Sequence, residues 1–429
     1  MKFKPYLIVI ATAILLSCLS CRKAKNDAVV KVSLFTVTLT DNFIPDQYKA
    51  IVFVSGPDGK LLADTTCTAN GTYNLCLKDG AVMPAWVMVT IVNYETVMHE
   101  LKIHMNTYTH VTPQSNWTIK GLNPDSTGHI ITSLLNVPSP HGQILYSNSG
   151  YYNITFNPDL RTSMLYKSTD DLYVKVSYST GDRFKIVSGV LPNGNYNIDM
   201  GDASLTESQS ISFPFPVQNY EADVFGYKEQ NFDSPIPTLA DMVISDGNTV
   251  NTIKVSYPPS FFAGYNTQLM IQETYTSDVL YYYHTDGVIP GTFKKTDASI
   301  LSMQPEKGSV KVQSTGTFEM ITAHWEYISP ALEFYDWQIY VPDTTQTVTL
   351  PAIAPAFSRL FNSLAIDSLN LVYTELTDFQ TLASYNEFLQ KVFDPSHPQT
   401  PDRFESSSVK RNYSKKSLFS SQRHKGAEK

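Results

Sequence analysis

The chain is poor in the residues that most chemistry needs. It has four cysteines and nine histidines in 429 residues, and only 17% of its residues are charged. No Gly-x-Ser-x-Gly elbow, Gly-rich phosphate loop or paired-cysteine zinc knuckle occurs. A net charge of −8 argues against nucleic acid, because phosphate binding needs a basic footprint. Long apolar runs are also missing. Leu7 to Leu16 is the longest such stretch and falls short of the ~20 residues that span a bilayer. What remains is a chain expected to be non-enzymatic and to need no cofactor. The open alternatives are a hydrolase with an unrecognised carboxylate or metal site, and a lipidated fimbrial subunit.

The apolar stretch follows Lys2 and Lys4 and ends at Ser17-Cys18-Leu19-Ser20-Cys21. This order of charge, apolar core and small residues is that of a cleavable export signal. Leu15-Leu16-Ser17-Cys18 resembles the bacterial lipobox, in which the signal is cut before a cysteine whose thiol carries lipid. The resemblance implies lipidation at Cys18, with Cys21 as the alternative. It also implies a signal over 1–17, a polar tether over 18–28 and a lipid anchor in the outer membrane. Arg22, Lys23 and Lys25 stand where surface lipoproteins of the Bacteroidota carry acids, so periplasmic and outward-facing positions both stay open.

From Val29 onward the chain is rich in Tyr, Thr, Ser, Val and Ile, and 12% of the sequence is aromatic, which favours pleated sheet. Its length fits about three domains at ~150 residues each. The expected fold is mainly β: tandem antiparallel sandwiches, Ig-like or transthyretin-like, with one short C-terminal helix. The divisions expected are 29–115, 116–216 and an aromatic-rich 217–401. Ile51-Val52-Phe53-Val54 is a short apolar run before the turn Gly56-Pro57-Asp58-Gly59. Leu61 to Thr68 and Thr72 to Lys78 read as a hairpin about Asn70-Gly71. With a four-residue loop Cys67 and Cys76 lie opposite and can pair in an oxidising compartment; with a two-residue loop the bridge is strained.

Asn70-Gly71-Thr72-Tyr73-Asn74-Leu75 is echoed by Asn193-Gly194-Asn195-Tyr196-Asn197-Ile198. The echo fits two copies of one sandwich hairpin, since Asn-Gly supplies the positive φ of a tight turn. Gly56 to Leu62, Asp64-Thr65-Thr66 and the first copy together resemble the carboxypeptidase-regulatory-like, transthyretin-type β-sandwich. That resemblance implies an accessory or structural module, common in surface lipoproteins of the Bacteroidota, and no activity.

Near the C-terminus Ser384-Tyr385-Asn386-Glu387 is a capping box, and Phe388, Leu389, Val392 and Phe393 share one helical face. From 402 onward eight Lys or Arg face three acids, and the Ser-rich stretch 402–429 reads as a disordered basic tail.

Two clusters are candidates for a site. His99-Glu100-Leu101-Lys102-Ile103-His104 resembles the His-Glu-x-x-x-His zinc helix of the dipeptidyl peptidase III family, but its surroundings read as sheet. On a strand an odd spacing sends the two imidazoles to opposite faces, so a metal at His99, Glu100 and His104 is disfavoured. Tyr281, Tyr283, Trp325, Tyr327 and Trp337 are candidate rings for stacking on a ligand, against the plainer reading that such rings fill the sandwich core. The partners expected are the membrane, through lipid, and a glycan or protein.

Overall fold

A computed structural model describes residues 32–413 apart from 41–42, 45–48, 79, 98–99, 122–125, 229–237, 362–363 and 397–403. The lipidation candidates Cys18 and Cys21, the signal, the tether and His99 lie outside the described residues. The fold is mainly β, as expected, and the described residues form two short α-helices and no barrel.

One seven-strand plan runs through the chain. In the first unit the strands are β1 (Ser33–Thr40), β2 (Ala50–Ser55), β3 (Leu61–Cys67), β4 (Gly71–Cys76), β5 (Val87–Val97), β6 (Glu100–Val111) and β7 (Asn116–Lys120). The order β4-β1-β7 forms one sheet and β3-β2-β5-β6 the other, with β7 parallel to β1. The second unit repeats this with β8 (Gly128–Leu135), β9 (Ile144–Asn148), β10 (Tyr151–Thr155), β11 (Arg161–Leu165), β12 (Asp170–Val176), β13 (Arg183–Val190) and β14 (Asn195–Asp199). Its sheets are β11-β8-β14 and β10-β9-β12-β13, the latter extended by the short β15 (Ser204–Leu205).

The third unit has β16 (Glu207–Val217), β17 (Asn219–Tyr227), β18 (Thr238–Ile244), β19 (Val250–Tyr257), β20 (Gly264–Gln272) and β21 (Val279–Gly287). Its seventh strand is reduced to a parallel bridge between Ser212 and Thr292. The fourth has β22 (Ser299–Glu306), β23 (Ser309–Thr315), β24 (Met320–Ile328), β25 (Glu333–Pro342), β26 (Thr347–Thr349), β27 (Asn370–Phe379) and β28 (Ser406–Asn412). Here β22 takes the seventh strand's place beside β23, but antiparallel and from upstream.

The true internal echo is the corner entering the seventh strand. Val111-Thr112-Pro113-Gln114-Ser115-Asn116-Trp117 corresponds to Val190-Leu191-Pro192-Asn193-Gly194-Asn195-Tyr196. Gln114 and Asn193 both have positive φ, at 66° and 62°. Their N–H groups donate to Leu34 and His129 on the first strands, at 2.7 and 2.6 Å. One residue on, the carbonyls of Ser115, Gly194 and Gly291 each accept from a first strand, at Thr36, Ile131 and Ser212, all at 3.0 Å. Trp117, Tyr196 and Phe293 then turn toward their cores.

The structure corrects the expected hairpin at Asn70-Gly71. β3 pairs with β2 and β4 with β1, so the chain crosses from one sheet to the other at this corner. Cys67 sits opposite Ala50 and Cys76 opposite Ser33, and both are free thiols. The tyrosine does hold the corner: Tyr73 OH donates to the Ala69 carbonyl at 2.7 Å and accepts from Thr68 N–H at 3.2 Å. Tyr196 OH likewise accepts from Leu191 N–H at 2.7 Å. Both motifs mark sheet-to-sheet crossings, though at different points in the plan.

The divisions also fall elsewhere than expected. β7 completes the first unit past 115, β16 opens the third unit before 217, and 217–401 is divided between two units. The expected tail begins inside the fold, because β28 lies between β21 and β27. Ser407, Ser408 and Val409 are buried there, so a Ser-rich, basic segment is ordered by filling a gap in a sheet.

Three of the units share one sheet. Its order is β18-β17-β20-β21-β28-β27-β24-β25-β6-β5-β2-β3, with β6 and β25 paired in parallel. In β25 burial alternates strictly: Tyr335, Trp337, Ile339 and Val341 enter the core, while Phe334, Asp336, Gln338 and Tyr340 face away. A one-residue slip would drive Asp336 into that core. β2 is buried along its whole length because small sheets pack on both of its faces: Ala50, Val52 and Val54 meet the first unit's core, Ile51 and Phe53 the fourth's. This explains the unbroken apolar run at 51–54.

The first helix, α1 (Pro355–Ser358), covers the edge strand β3, and the Asp64 carboxylate accepts from Ala356 N–H at 2.9 Å. The second, α2 (Tyr385–Val392), begins as expected: Ser384 Oγ accepts from Glu387 N–H at 3.2 Å, and Glu387 accepts from Ala383 N–H at 2.8 Å. Its apolar face, Phe388, Leu389 and Val392, joins the first unit's core.

Candidate functional site

The five candidate rings do not form a surface. Trp325, Trp337 and Tyr283 are at most 2% exposed, and Tyr281 and Tyr327 pack half-buried against the same cores. Trp337 Nε1–H donates to Thr107 Oγ1 at 2.9 Å, which satisfies its polar atom inside the core. Trp325, Trp337 and Tyr283 therefore have no free face to stack on a ligand, and Tyr281 and Tyr327 present only part of one.

Their neighbours, one residue along, lie on the opposite face of the long sheet. The strand register aligns them in three rows. Tyr108, Tyr340, Thr322, Glu375 and Lys410 form the first. Asn106, Gln338, His324 and Tyr373 form the second. His104, Asp336 and Glu326 form the third. Tyr282, on β21, continues this face beyond β28. Tyr282 and Tyr373 belong to none of the apolar clusters, and both are half-buried.

At one end two rings hold a cation. Lys410 Nζ lies 4.0 Å from the Tyr373 ring centroid and 4.8 Å from that of Tyr282. Glu375 is 3.9 Å from the same ammonium and also accepts from Ser408 Oγ. Burial alone would lower the Lys410 pKa, but the flanking rings and Glu375 outweigh it and keep the ammonium protonated. The Tyr373 edge then meets His324, with centroids 4.7 Å apart.

At the other end one carboxylate serves two imidazoles. Asp336 Oδ1 is 2.7 Å from His324 Nε2, and Oδ2 is 3.4 Å from His104 Nδ1. His104 Nε2 is also 3.6 Å from Glu95. The bond to Asp336, then that to Glu95, pushes the His104 pKa up to about 9. Burial would raise the Asp336 pKa, yet the two imidazoles hold it well below the usual carboxylate range. Glu100, four residues before His104 on β6, takes no part. Among the described residues no group of three His, Cys, Asp or Glu side chains is placed to hold a metal ion.

Sequence reasoning missed this face because it followed the most aromatic positions. The signal was the opposite parity of β25 and β27: Asp336, Gln338 and Tyr340, with Tyr373 and Glu375.

No family model matches the chain, and no curated protein matches it. Among solved structures, the Bacillus anthracis TIE protein aligns over 62% of this chain and 50% of its own length, at 11% identity and a TM-score of 0.17. This chain therefore spans half the length of that protein. A candidate adhesin from Bacteroides ovatus aligns over 62% of this chain and 86% of its own, at 12% identity and a TM-score of 0.12. A tetra-tandem repeat from the extending region of a large adhesion protein aligns over 89% and 100%, at 10% identity and a TM-score of 0.12. Scores of this size do not establish a shared fold.

Proposed function

We propose that the protein is a non-enzymatic binding protein of the cell envelope, anchored by lipid on Cys18, which holds a protein partner on the polar face of its long sheet. The observation that supports this most is the face itself. It crosses six adjacent strands, from β6 to β21, and is roughly 24 Å wide at ~4.8 Å per strand spacing. It combines tyrosine rings with charges of both signs, a composition that suits recognition of a protein surface. The long sheet beneath it, shared by three units, gives it a rigid backing.

Two measurements test this reading. A photo-crosslinking residue at the half-exposed Glu326, in cells, is expected to give an adduct of one discrete mass that disappears when Tyr282 and Tyr373 are both changed to Ala. Absence of any adduct, or an adduct unaffected by those changes, would overturn the assignment of the face. Fatty-acid labelling is expected to be lost in Cys18→Ala and kept in Cys21→Ala. An unlabelled wild-type protein would remove the anchor.

A further inference from the structure

A second concave site lies beside the Tyr108 end of that face, where the corner between β6 and β7 meets α2 and Tyr108 packs edge-on against Trp117 and Phe393. The cleft has a volume of about 510 Å³, within the ~300–1,000 Å³ range of small-molecule sites. Its floor is apolar and rigid. Trp117 and Phe393 stack with centroids 3.8 Å apart and planes 6° from parallel, beside the buried Leu389. Thr118 N–H donates to the Phe393 carbonyl at 3.2 Å, which ties the end of α2 to β7. The two walls are therefore fixed to each other before any ligand arrives.

The rim is polar and almost uncharged. Asn116 stands on one wall, and Asn386 and Gln390, one helical turn apart, on the other. All three amides are exposed. His110 reaches the cleft from a residue at φ 54°, with its ring stacked on Trp86 at 4.0 Å and Nδ1 3.0 Å from Thr109 Oγ1. Burial lowers its pKa, which favours the neutral imidazole. Among the described residues Asp394 is the one ionic side chain of the lining, and it accepts from Ser396 N–H at 2.7 Å. Among the described residues no Lys or Arg lines the cleft, so they offer a phosphate or carboxylate ligand no counter-charge.

We propose that this cleft binds an uncharged saccharide of one or two pyranose rings. Each amide both donates and accepts, and so does each sugar hydroxyl. Trp117, Phe393 and Leu389 are each only 5% exposed, so the floor gives the sugar a small apolar patch and the rim amides carry most of the recognition. The proposal rests on the reading of the chain as a binding protein, but it concerns a different site and a different class of ligand.

The test uses the mature protein and arrays of neutral disaccharides, their sialylated and sulfated counterparts, and peptides, with hits followed by isothermal titration. A neutral disaccharide is expected to bind wild type and the Tyr282→Ala/Tyr373→Ala variant equally. It is expected to lose at least about ten-fold in affinity in Asn386→Ala/Gln390→Ala, as loss of two hydrogen bonds implies. Both positions are exposed, and an unchanged circular-dichroism melt verifies the fold; Asn116→Ala, on the opposite wall, gives a second readout. Four outcomes would overturn the proposal: no neutral sugar bound, a preference for charged glycans, binding of peptides in its place, or affinity indifferent to these amides. If the Glu326 adduct forms while any of these holds, this inference alone falls.

Discussion

His104 and Asp336 face each other across the parallel seam of the long sheet, Nδ1 to Oδ2 at 3.4 Å. The seam joins the first unit to the fourth, so its strength depends on the protonation of both. His104 titrates near 9 in the fold against 6.5 when free. Its contribution is complete below pH 6.5 and is lost as the pH rises through about 9. Asp336 is depressed, so its contribution is present above its free value of 3.8 and is lost as the pH falls below that. Thermal melting is expected to peak between about pH 4.5 and 7. His104→Gln should flatten the alkaline limb, and an unchanged alkaline limb would refute the role of this pair.

Asp223 points the other way. It lies on β17 with Oδ1 buried and unpartnered, and burial, then repulsion from Glu221 and Asp241, pushes its pKa up to about 8. The fold therefore favours the protonated acid, and this contribution fades as the pH rises from about 4 to about 8. Asp223→Asn keeps the buried oxygen but removes the charge, so it should be near neutral at pH 4 and stabilising at pH 8.5, where the wild-type carboxylate is ionised in a buried site. The measurement is denaturant unfolding at the two pH values.

Core and face should separate under mutation. Trp337→Ala removes a fully buried ring and its hydrogen bond to Thr107, which keeps its bond to Thr90, and should cost about 3–5 kcal/mol. Tyr373→Ala removes a half-buried ring outside the apolar clusters and should cost less than about 1.5 kcal/mol, while releasing the Lys410 ammonium. If the two variants melt alike, the assignment of sheet faces is wrong.

Cys67 is sealed in the first unit's core, and burial pushes its thiol up to about 12. It is expected to resist alkylation at pH 8 until the chain unfolds, and reductant should leave the melting temperature unchanged. A reductant-sensitive melt would mean that Cys67 and Cys76 are joined after all.

Much of the architecture was legible from residue pattern. The β class and the capping box at 384–387 depend on local chemistry, which a single sequence displays. The chain's long-range pairings were not. Nothing local says that Asn70-Gly71 carries the chain between sheets, since a hairpin turn and a crossing use the same residues. β28 was hidden because its neighbours, β21 and β27, supply the apolar contacts that its own Ser-rich sequence lacks. The aromatic third domain misled for a related reason: ring density marks a core as readily as a binding surface, and only parity along β25 distinguishes them.

The position of β28 has a consequence for how the protein matures. Residues 406–412 are the last described strand to be made, yet they join β21 to β27 in the middle of the long sheet. Until they arrive, the third and fourth units each present a bare strand edge, and such edges recruit other chains. A product truncated before 406 would thus carry two bare strand edges, at β21 and β27, in one chain. The long sheet is therefore complete only once the segment 406–412 has been made.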